Sequence, residues 1–296
     1  MVPVVTERPW SWFGVMSSMV SDERPIAAFP PVGAVCTGPS RRVRPHRARP
    51  TTLGAMTAPT VTVRRVTTTR AGGFSAPPYD SFNLGDHVGD DPEAVRRNRI
   101  RLAEGIGLTP DRLVWMEQVH GRAVEIVDGP RAEPVPVTDA LVTTVPGLAL
   151  VVLTADCVPI LLSDDEAGVI AAVHAGRIGA RIGIVPRVLE AMVSVGARVD
   201  RIGAFLGPAA SGRQYEVPAA MRADVEAHLP GSATTTVRGT PGLDLRAGIT
   251  RQLTEAGVAG VALDPRCTIE DKTLFSHRRG APTGRIAGVI WMDTGA

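Results

Sequence analysis

Three side chains able to ligate a transition metal stand in separate segments of this 296-residue chain. They are His120 in Gln118-Val119-His120-Gly121, Cys157 in Thr154-Ala155-Asp156-Cys157-Val158-Pro159, and His174 in His174-Ala175-Gly176. Cys157 and His174 follow the apolar runs 148–153 and 169–173, each long enough for a buried strand, and His120 precedes another, 123–127. A thiolate and imidazoles are the donors zinc takes. No CxxC or HxxxH pair occurs, so a local structural zinc module is not expected. Three ligands without an evident fourth suit a catalytic metal, which keeps one position open for water or substrate. Their ligand atoms would then lie within about 4 Å of one another. Plainer readings stand beside this one. A Cys among apolar residues is commonly inert core, and a His at a strand end is commonly a hydrogen-bonded structural group. The same residues also offer metal-free chemistry, with Cys157 as nucleophile and His174 or His120 as base. His277 is a weaker fourth candidate, because Arg278 and Arg279 beside it disfavour a cation and favour an anion.

The words around these residues form an ordered set. NLGDHVGDD at 83–91, QVHG, TADCVP and HAG are followed by GP at 207–208, YEV at 215–217 and CT…FSHRR…TGR across 267–285. Over roughly residues 60–293 the set resembles the YfiH-type family, also called the laccase-domain or peptidoglycan-editing-factor family. The resemblance implies that His120, Cys157 and His174 bind zinc and serve catalysis. It implies phosphate-dependent cleavage of adenosine, inosine and methylthioadenosine, together with adenosine deamination. Nucleoside and phosphate would then be the small-molecule partners. Arg70 and Ser75 lie in Arg70-Ala71-Gly72-Gly73-Phe74-Ser75, which resembles the family's TTRxGGxS. Two glycines there bring backbone close to a ligand, and Arg70 can hold an anion; a plain turn with a surface Arg reads equally well without the resemblance. Asn83, Arg177, Arg278 and Arg285 complete the expected substrate- or anion-binding set. One departure stands out. The family usually has HAGWRG, whereas this chain has His174-Ala175-Gly176-Arg177-Ile178-Gly179. Ile178 has no donor, so Arg177, in a turn after Gly176, is expected to point toward the metal and take the anion role.

Other functions use the same residues. A copper-dependent polyphenol oxidase needs a blue copper centre and a trinuclear cluster with many His. Five His outside residues 1–57 are too few, so zinc is expected before copper. A peptidoglycan-precursor editing hydrolase would use Cys157. The altered HAG segment also keeps a non-catalytic interaction protein in view. Metal content separates these readings.

The elements that must position the site follow from pattern. Residues 1–57 are rich in Pro, Arg and Ser and lack a sustained period, which reads as a disordered or mis-started extension before a domain spanning 58–296. That extension carries a formal +4, leaving −2 on the remainder, so the basic pI is a property of the extension and no nucleic-acid surface is expected. No apolar run approaches the roughly 20 residues that span a bilayer. Three unpatterned Cys indicate a reducing compartment. A cytoplasmic monomer is expected. Strands are expected at 60–69, 123–127, 148–153, 169–173, 201–206, 261–268 (carrying a structural Cys267) and 286–291. Helices are expected at 92–105 behind an Asp90 or Asp91 cap, 184–195, 218–229 and 244–256. Strict βαβ alternation is absent. The fold class is therefore mixed α/β (α+β), with mixed sheets covered by helices in a layered sandwich and a single domain.

Overall fold

The computed structural model describes residues 5–6 and 62–293. The expected extension 1–57 lies outside the described residues except for Val5–Thr6, which forms a short strand. In chain order the elements are β1 (Val5–Thr6), β2 (Thr62–Thr67), α1 (Pro92–Gly105), β3 (Leu113–Val114), β4 (Val124–Ile126), β5 (Ala140–Thr143) and β6 (Ala149–Thr154). Next come β7 (Val158–Asp164), β8 (Val169–Ala175), α2 (Arg177–Arg181), α3 (Ile184–Ser194), β9 (Gly203–Leu206) and α4 (Ala219–His228). The chain continues with β10 (Ala233–Thr235), β11 (Pro241–Leu243), α5 (Leu245–Glu255), β12 (Gly260–Leu263) and β13 (Ile286–Asp293).

Two mixed sheets form, in the orders β1-β2-β13-β6-β3 and β12-β9-β7-β8-β5-β4, with a separate β10-β11 ribbon. The side-chain alternation of the central strands sets the layers. On β6, Ala149, Val151 and Leu153 pack outward on Leu102 and Ala103 of α1. Leu150 and Val152 face inward and meet Leu161 of β7 and Ile170 and Ala172 of β8 across the gap between the sheets. The far face of the second sheet, with Ile160, Leu162, Ala171 and Val173, is covered by Val185, Val188 and Met192 of α3 and by Ile249 and Leu253 of α5. The result is helix, sheet, sheet, helix; the expected mixed sheets covered by helices are present, and the number of layers is set by the pairing. β6, β7 and β8 are buried on both faces, which is why they read as continuous apolar runs. Each fully buried Leu, Ile or Val there is worth about 1.5–3 kcal/mol.

The helix signals act as expected. Asp91 caps α1 through the Glu93 N–H, with Pro92 at the first position, and Asp244 caps α5 through the Ala247 N–H. The strands expected at 123–127, 201–206 and 261–268 are shorter than expected, the last most of all. β12 ends at Leu263, and Cys267 lies beyond it, joined to Ala209 by a single bridge. Pro265 has no N–H to continue the ladder. Cys267 is buried and its Sγ accepts the Ser211 N–H at 3.4 Å, a structural role. Among the described residues no helix is long and apolar enough to cross a membrane.

β6 belongs to one sheet and β7 to the other, so the turn Ala155-Asp156-Cys157 crosses between the sheets at one end of the gap. The C-terminal end of β8 reaches the same level, because Pro159 pairs with His174.

Candidate metal centre

His174 shares the inward face of β8 with Ile170 and Ala172. Asp139, just before β5, shares the corresponding face with Leu141, and the His174 N–H donates to the Asp139 carbonyl at 2.7 Å. The two side chains therefore meet, with His174 Nδ1 2.8 Å from Asp139 Oδ1. An ionised Asp139 fixes the proton on Nδ1 and leaves Nε2 as the free donor, the arrangement that orients metal-binding imidazoles. Asp139 also accepts the backbone N–H groups of Val119 (3.3 Å), His120 (3.0 Å) and Gly121 (2.6 Å). One buried carboxylate thus holds both the His174 ring and the loop that carries His120. Gln118 adds a second clamp: its side-chain amide donates to the Leu153 carbonyl at 2.7 Å and accepts the Leu153 N–H at 2.8 Å.

His120 Nε2 lies 3.7 Å from Cys157 Sγ, and the His120 and His174 rings meet edge to face at 4.7 Å. Ligand atoms of His120, Cys157 and His174 all fall within 4.8 Å of one another, slightly wider than the expected 4 Å and a group that could hold a metal ion. His277 is not part of it. His174 is buried, Cys157 half-buried and His120 exposed, so the group opens on one side. Close packing leaves room for ligand atoms only because Gly176 lacks a side chain. A Cβ there would stand 2.7 Å from His120 Cδ2 and 3.0 Å from Cys157 Sγ. Two thiolate- and imidazole-bearing turns also adopt left-handed backbone, with φ of 60° at His120 and 96° at Asp156. Such non-glycine conformations cost about 1–3 kcal/mol each and persist where surrounding bonds over-determine them. The Asp139 clamp does this for His120. For Asp156 it is done by Thr268 Oγ1 and Ser276 Oγ, each donating to Oδ1 at 2.6 Å, and by the Arg278 N–H donating to Oδ2 at 2.7 Å.

The charges fit cation binding. Burial pushes the Cys157 thiol up, but the His174 and His120 imidazoles outweigh it and bring the group from 9.0 down to about 6. Burial pulls His174 down, yet the Cys157 thiolate and the Asp139 carboxylate outweigh it and raise the imidazole to about 9. Burial also pushes Asp139 up, and its bonds to His174 and Gly121 hold it below the ordinary carboxylate value. In the metal-free protein the group is thus a thiolate beside an imidazolium, and a divalent cation would take the place of the imidazolium proton. Two imidazoles and a thiolate suit zinc and also copper.

The expected anion-binding residues divide into groups. Arg285 is half-buried; burial lowers it, while the charges of Cys157 and Asp156 raise it. Its bonds go to the Thr283 and Gly284 carbonyls, and among the described residues it has no carboxylate in ion-pair contact. Arg278 stacks over Tyr215 at 4.6 Å and donates to the Glu216 carbonyl at 2.9 Å. Arg70 is already paired with Asp80 at 2.9 Å and lies 4.9 Å over the Phe275 ring. Ser75 and Asn83 are buried and spent on protein groups. Ser75 accepts from Asn98, and the Asn83 amide accepts the Gly85 and Arg285 N–H groups and donates to Asp90. Asn83 positions Arg285 where direct substrate contact was expected. Arg177 opens α2, and its charge is among those that lower Asp224 of α4, on which Arg181 also acts. Ile178 beside it is exposed. Asp139, Gln118 and Asp156 escaped sequence reading. The available signal was a carboxylate beside an apolar strand, Asp139 before β5 and Asp156 after β6, a charge that cannot stay buried unpartnered.

Fold and site together define a single-domain, mixed α/β protein with, among the described residues, one His, Cys, His group that could hold a metal at the open end of a two-sheet sandwich. The chain belongs to the family described as multi-copper polyphenol oxidoreductase laccase, whose profile matches residues 64–293, the YfiH group of proteins. It is 65% identical over 233 residues to a purine nucleoside phosphorylase of Mycobacterium tuberculosis, covering 79% of this chain and 93% of that one. It is 61% identical over 232 residues to a purine nucleoside phosphorylase of Corynebacterium glutamicum, covering 78% and 94%. Among solved structures it resembles YlmD from Geobacillus stearothermophilus, with a TM-score of 0.74, 33% identity and coverage of 79% and 93%. It also resembles the hypothetical protein YfiH of Bacillus licheniformis, with a TM-score of 0.73, 29% identity and coverage of 79% and 97%.

Proposed function

We propose that this chain is a zinc-dependent purine nucleoside phosphorylase that splits adenosine, inosine and methylthioadenosine with phosphate, deaminates adenosine as a second activity, and acts in the cytoplasm as a monomer. The observation that carries the reading is the His120, Cys157, His174 group, whose ligand atoms lie within 4.8 Å of one another, with the charge of Cys157 acting on the half-buried Arg285, which pairs with no carboxylate among the described residues. An anion and a polarised purine nucleoside could be held side by side there, and the similarity to relatives named purine nucleoside phosphorylase supports that use. His120, Cys157 and His174 would hold the zinc. Bound zinc would supply Lewis-acid polarisation of a leaving group or activation of water for deamination. Asp139 keeps His174 in one tautomer, Arg285 and Arg278 draw phosphate to the open side, and the bonded loop 267–285 holds both arginines in place.

The test is a panel of the three nucleosides with and without phosphate, combined with elemental analysis. One zinc per chain with phosphate-dependent base release is expected, plus ammonia release from adenosine. A fully zinc-loaded protein that releases no base from any of the three would refute the reading, and several coppers per chain would favour the oxidase that the family description names. One observation favours a second reading. The Cys157 thiol, at about 6, is ionised at neutral pH without metal and could serve as the nucleophile of a hydrolase, such as one editing peptidoglycan precursors. Hydrolysis that survives chelation and is abolished by alkylating Cys157 would select it.

A further inference from the structure

Asp156 sits beside the ligand Cys157, yet its carboxylate turns away from the ligand group. It is consumed by three donors from one remote segment: the hydroxyls of Thr268 and Ser276 on Oδ1 and the Arg278 N–H on Oδ2. Its carbonyl accepts the Ala210 N–H at 3.0 Å, tying in the segment that leads to Tyr215, on whose ring Arg278 stacks. Ser276 Oγ in turn accepts the Arg279 N–H at 3.1 Å. Arg279 donates to the carbonyls of Thr268 and Asp271, which closes the loop on itself. The crossover turn and the arginine-bearing loop are therefore one bonded unit whose central residue is Asp156. No bond of the Asp156 side chain goes to His120, Cys157 or His174; its bonds hold the left-handed turn before Cys157 to the segment that bears Arg278. What it fixes is the backbone of Arg278; Arg285 follows in the same segment, its own N–H held by Asn83.

We propose that Asp156 is a positioning residue for anion binding: it locks the loop bearing Arg278 and Arg285 to the turn bearing Cys157, so that phosphate is held at a set place relative to the metal group. This rests on the phosphorylase reading. The residue touches neither substrate nor metal, and acts by charge-assisted hydrogen bonds whose geometry a neutral amide cannot reproduce, since one of its two polar atoms is a donor.

The experiment compares the full chain with the variants Asp156→Asn, Ser276→Ala and Thr268→Val. Zinc content, the separate KM values for phosphate and nucleoside, and direct calorimetric binding of inorganic phosphate to zinc-loaded and chelated protein are measured. Asp156→Asn is expected to keep its zinc and raise the phosphate KM at least roughly tenfold, with the nucleoside KM changed less than about threefold. Ser276→Ala and Thr268→Val are expected to move the phosphate KM the same way by about threefold each, and they decide the matter should Asp156→Asn fail to fold. Unchanged phosphate KM in the hydroxyl variants, or equal rises in both KM values, would overturn the proposal. Should the wild-type protein show no phosphorolysis, the phosphorylase reading fails on that result alone. Calorimetry then decides the positioning role: weaker phosphate binding in the variants supports it, and unaltered binding overturns it.

Discussion

Asp139 Oδ1 lies 2.8 Å from His174 Nδ1, and the same carboxylate accepts the backbone N–H groups of Val119, His120 and Gly121. A residue that ligates nothing thus couples two of the three candidate ligands, one by its ring and one by its loop. Replacing it should change metal affinity and fold stability together. Asp139→Asn keeps the volume but turns one acceptor into a donor facing N–H groups. Metal affinity is expected to fall about 10- to 100-fold. The unsatisfied donors should cost about 1–3 kcal/mol. Competition with a chelator and a thermal melt check both; wild-type metal affinity in a folded variant would contradict the coupling.

Gly176 tests the packing of the site without touching a ligand or a charge. Its φ of −74° suits any residue, so Gly176→Ala should fold normally. The new methyl would stand 2.7 Å from His120 Cδ2 and 3.0 Å from Cys157 Sγ, however, and must displace one of them. Loss of most bound metal with a melting temperature of the chelated form within a few degrees of wild type is the expected result. Full metal occupancy would show that the His120 loop yields freely.

The paired shifts of Cys157 and His174 give a pH signature in the metal-free protein. A thiol that ordinarily ionises near 9.0 is brought to about 6, so the reactive thiolate persists as pH falls from 9 and is lost only as pH passes below about 6. The raised His174 keeps its proton up to about 9 and sustains the pair across that window. Alkylation of Cys157 by iodoacetamide, followed by mass spectrometry after chelation, should be half-maximal near pH 6. A midpoint above pH 8 would mean that the imidazoles do not stabilise the thiolate. Metal should suppress the reaction throughout, because the same sulfur is then a ligand.

Much of this site is visible in sequence because candidate ligands at strand ends interrupt apolar runs. Leu148–Leu153 and Val169–Val173 read as buried strands for the reason they are buried, with an apolar layer on each side. Cys157 and His174 stood out as the polar residues at their ends. Pairing was not visible. Nothing local tells that β6 and β7 enter different sheets, so the crossover at Asp156 and its left-handed backbone could not be foreseen. Asn83 shows the opposite error. Its motif reads as a ligand-binding word, yet its amide is spent on Gly85, Asp90 and the Arg285 backbone. A polar side chain in a distinctive motif can serve the residue that meets the ligand. Sequence could not tell that α2 begins at Arg177, because a turn after Gly176 permits many directions.

Arg285 is the charge on which the proposed anion site depends, and it can be tested in two ways that separate charge from position. Arg285→Met removes the guanidinium while keeping an unbranched side chain of similar reach; metal should remain, and the phosphate KM should rise at least about tenfold, the loss expected for a charge-assisted contact. Gly85→Ala leaves the guanidinium intact. A Cβ at Gly85 would stand 2.7 Å from Arg285 Cγ and 3.3 Å from its Cβ, so the side chain must swing away from the groove it occupies over Asn83 and Gly85. The phosphate KM should therefore rise in this variant as well, by less than in Arg285→Met, while zinc content and nucleoside KM stay near wild type. A rise in Arg285→Met alone would show that the charge matters but that its seat is loose. No rise in either would remove Arg285 from the anion site and leave Arg278 as the residue to examine.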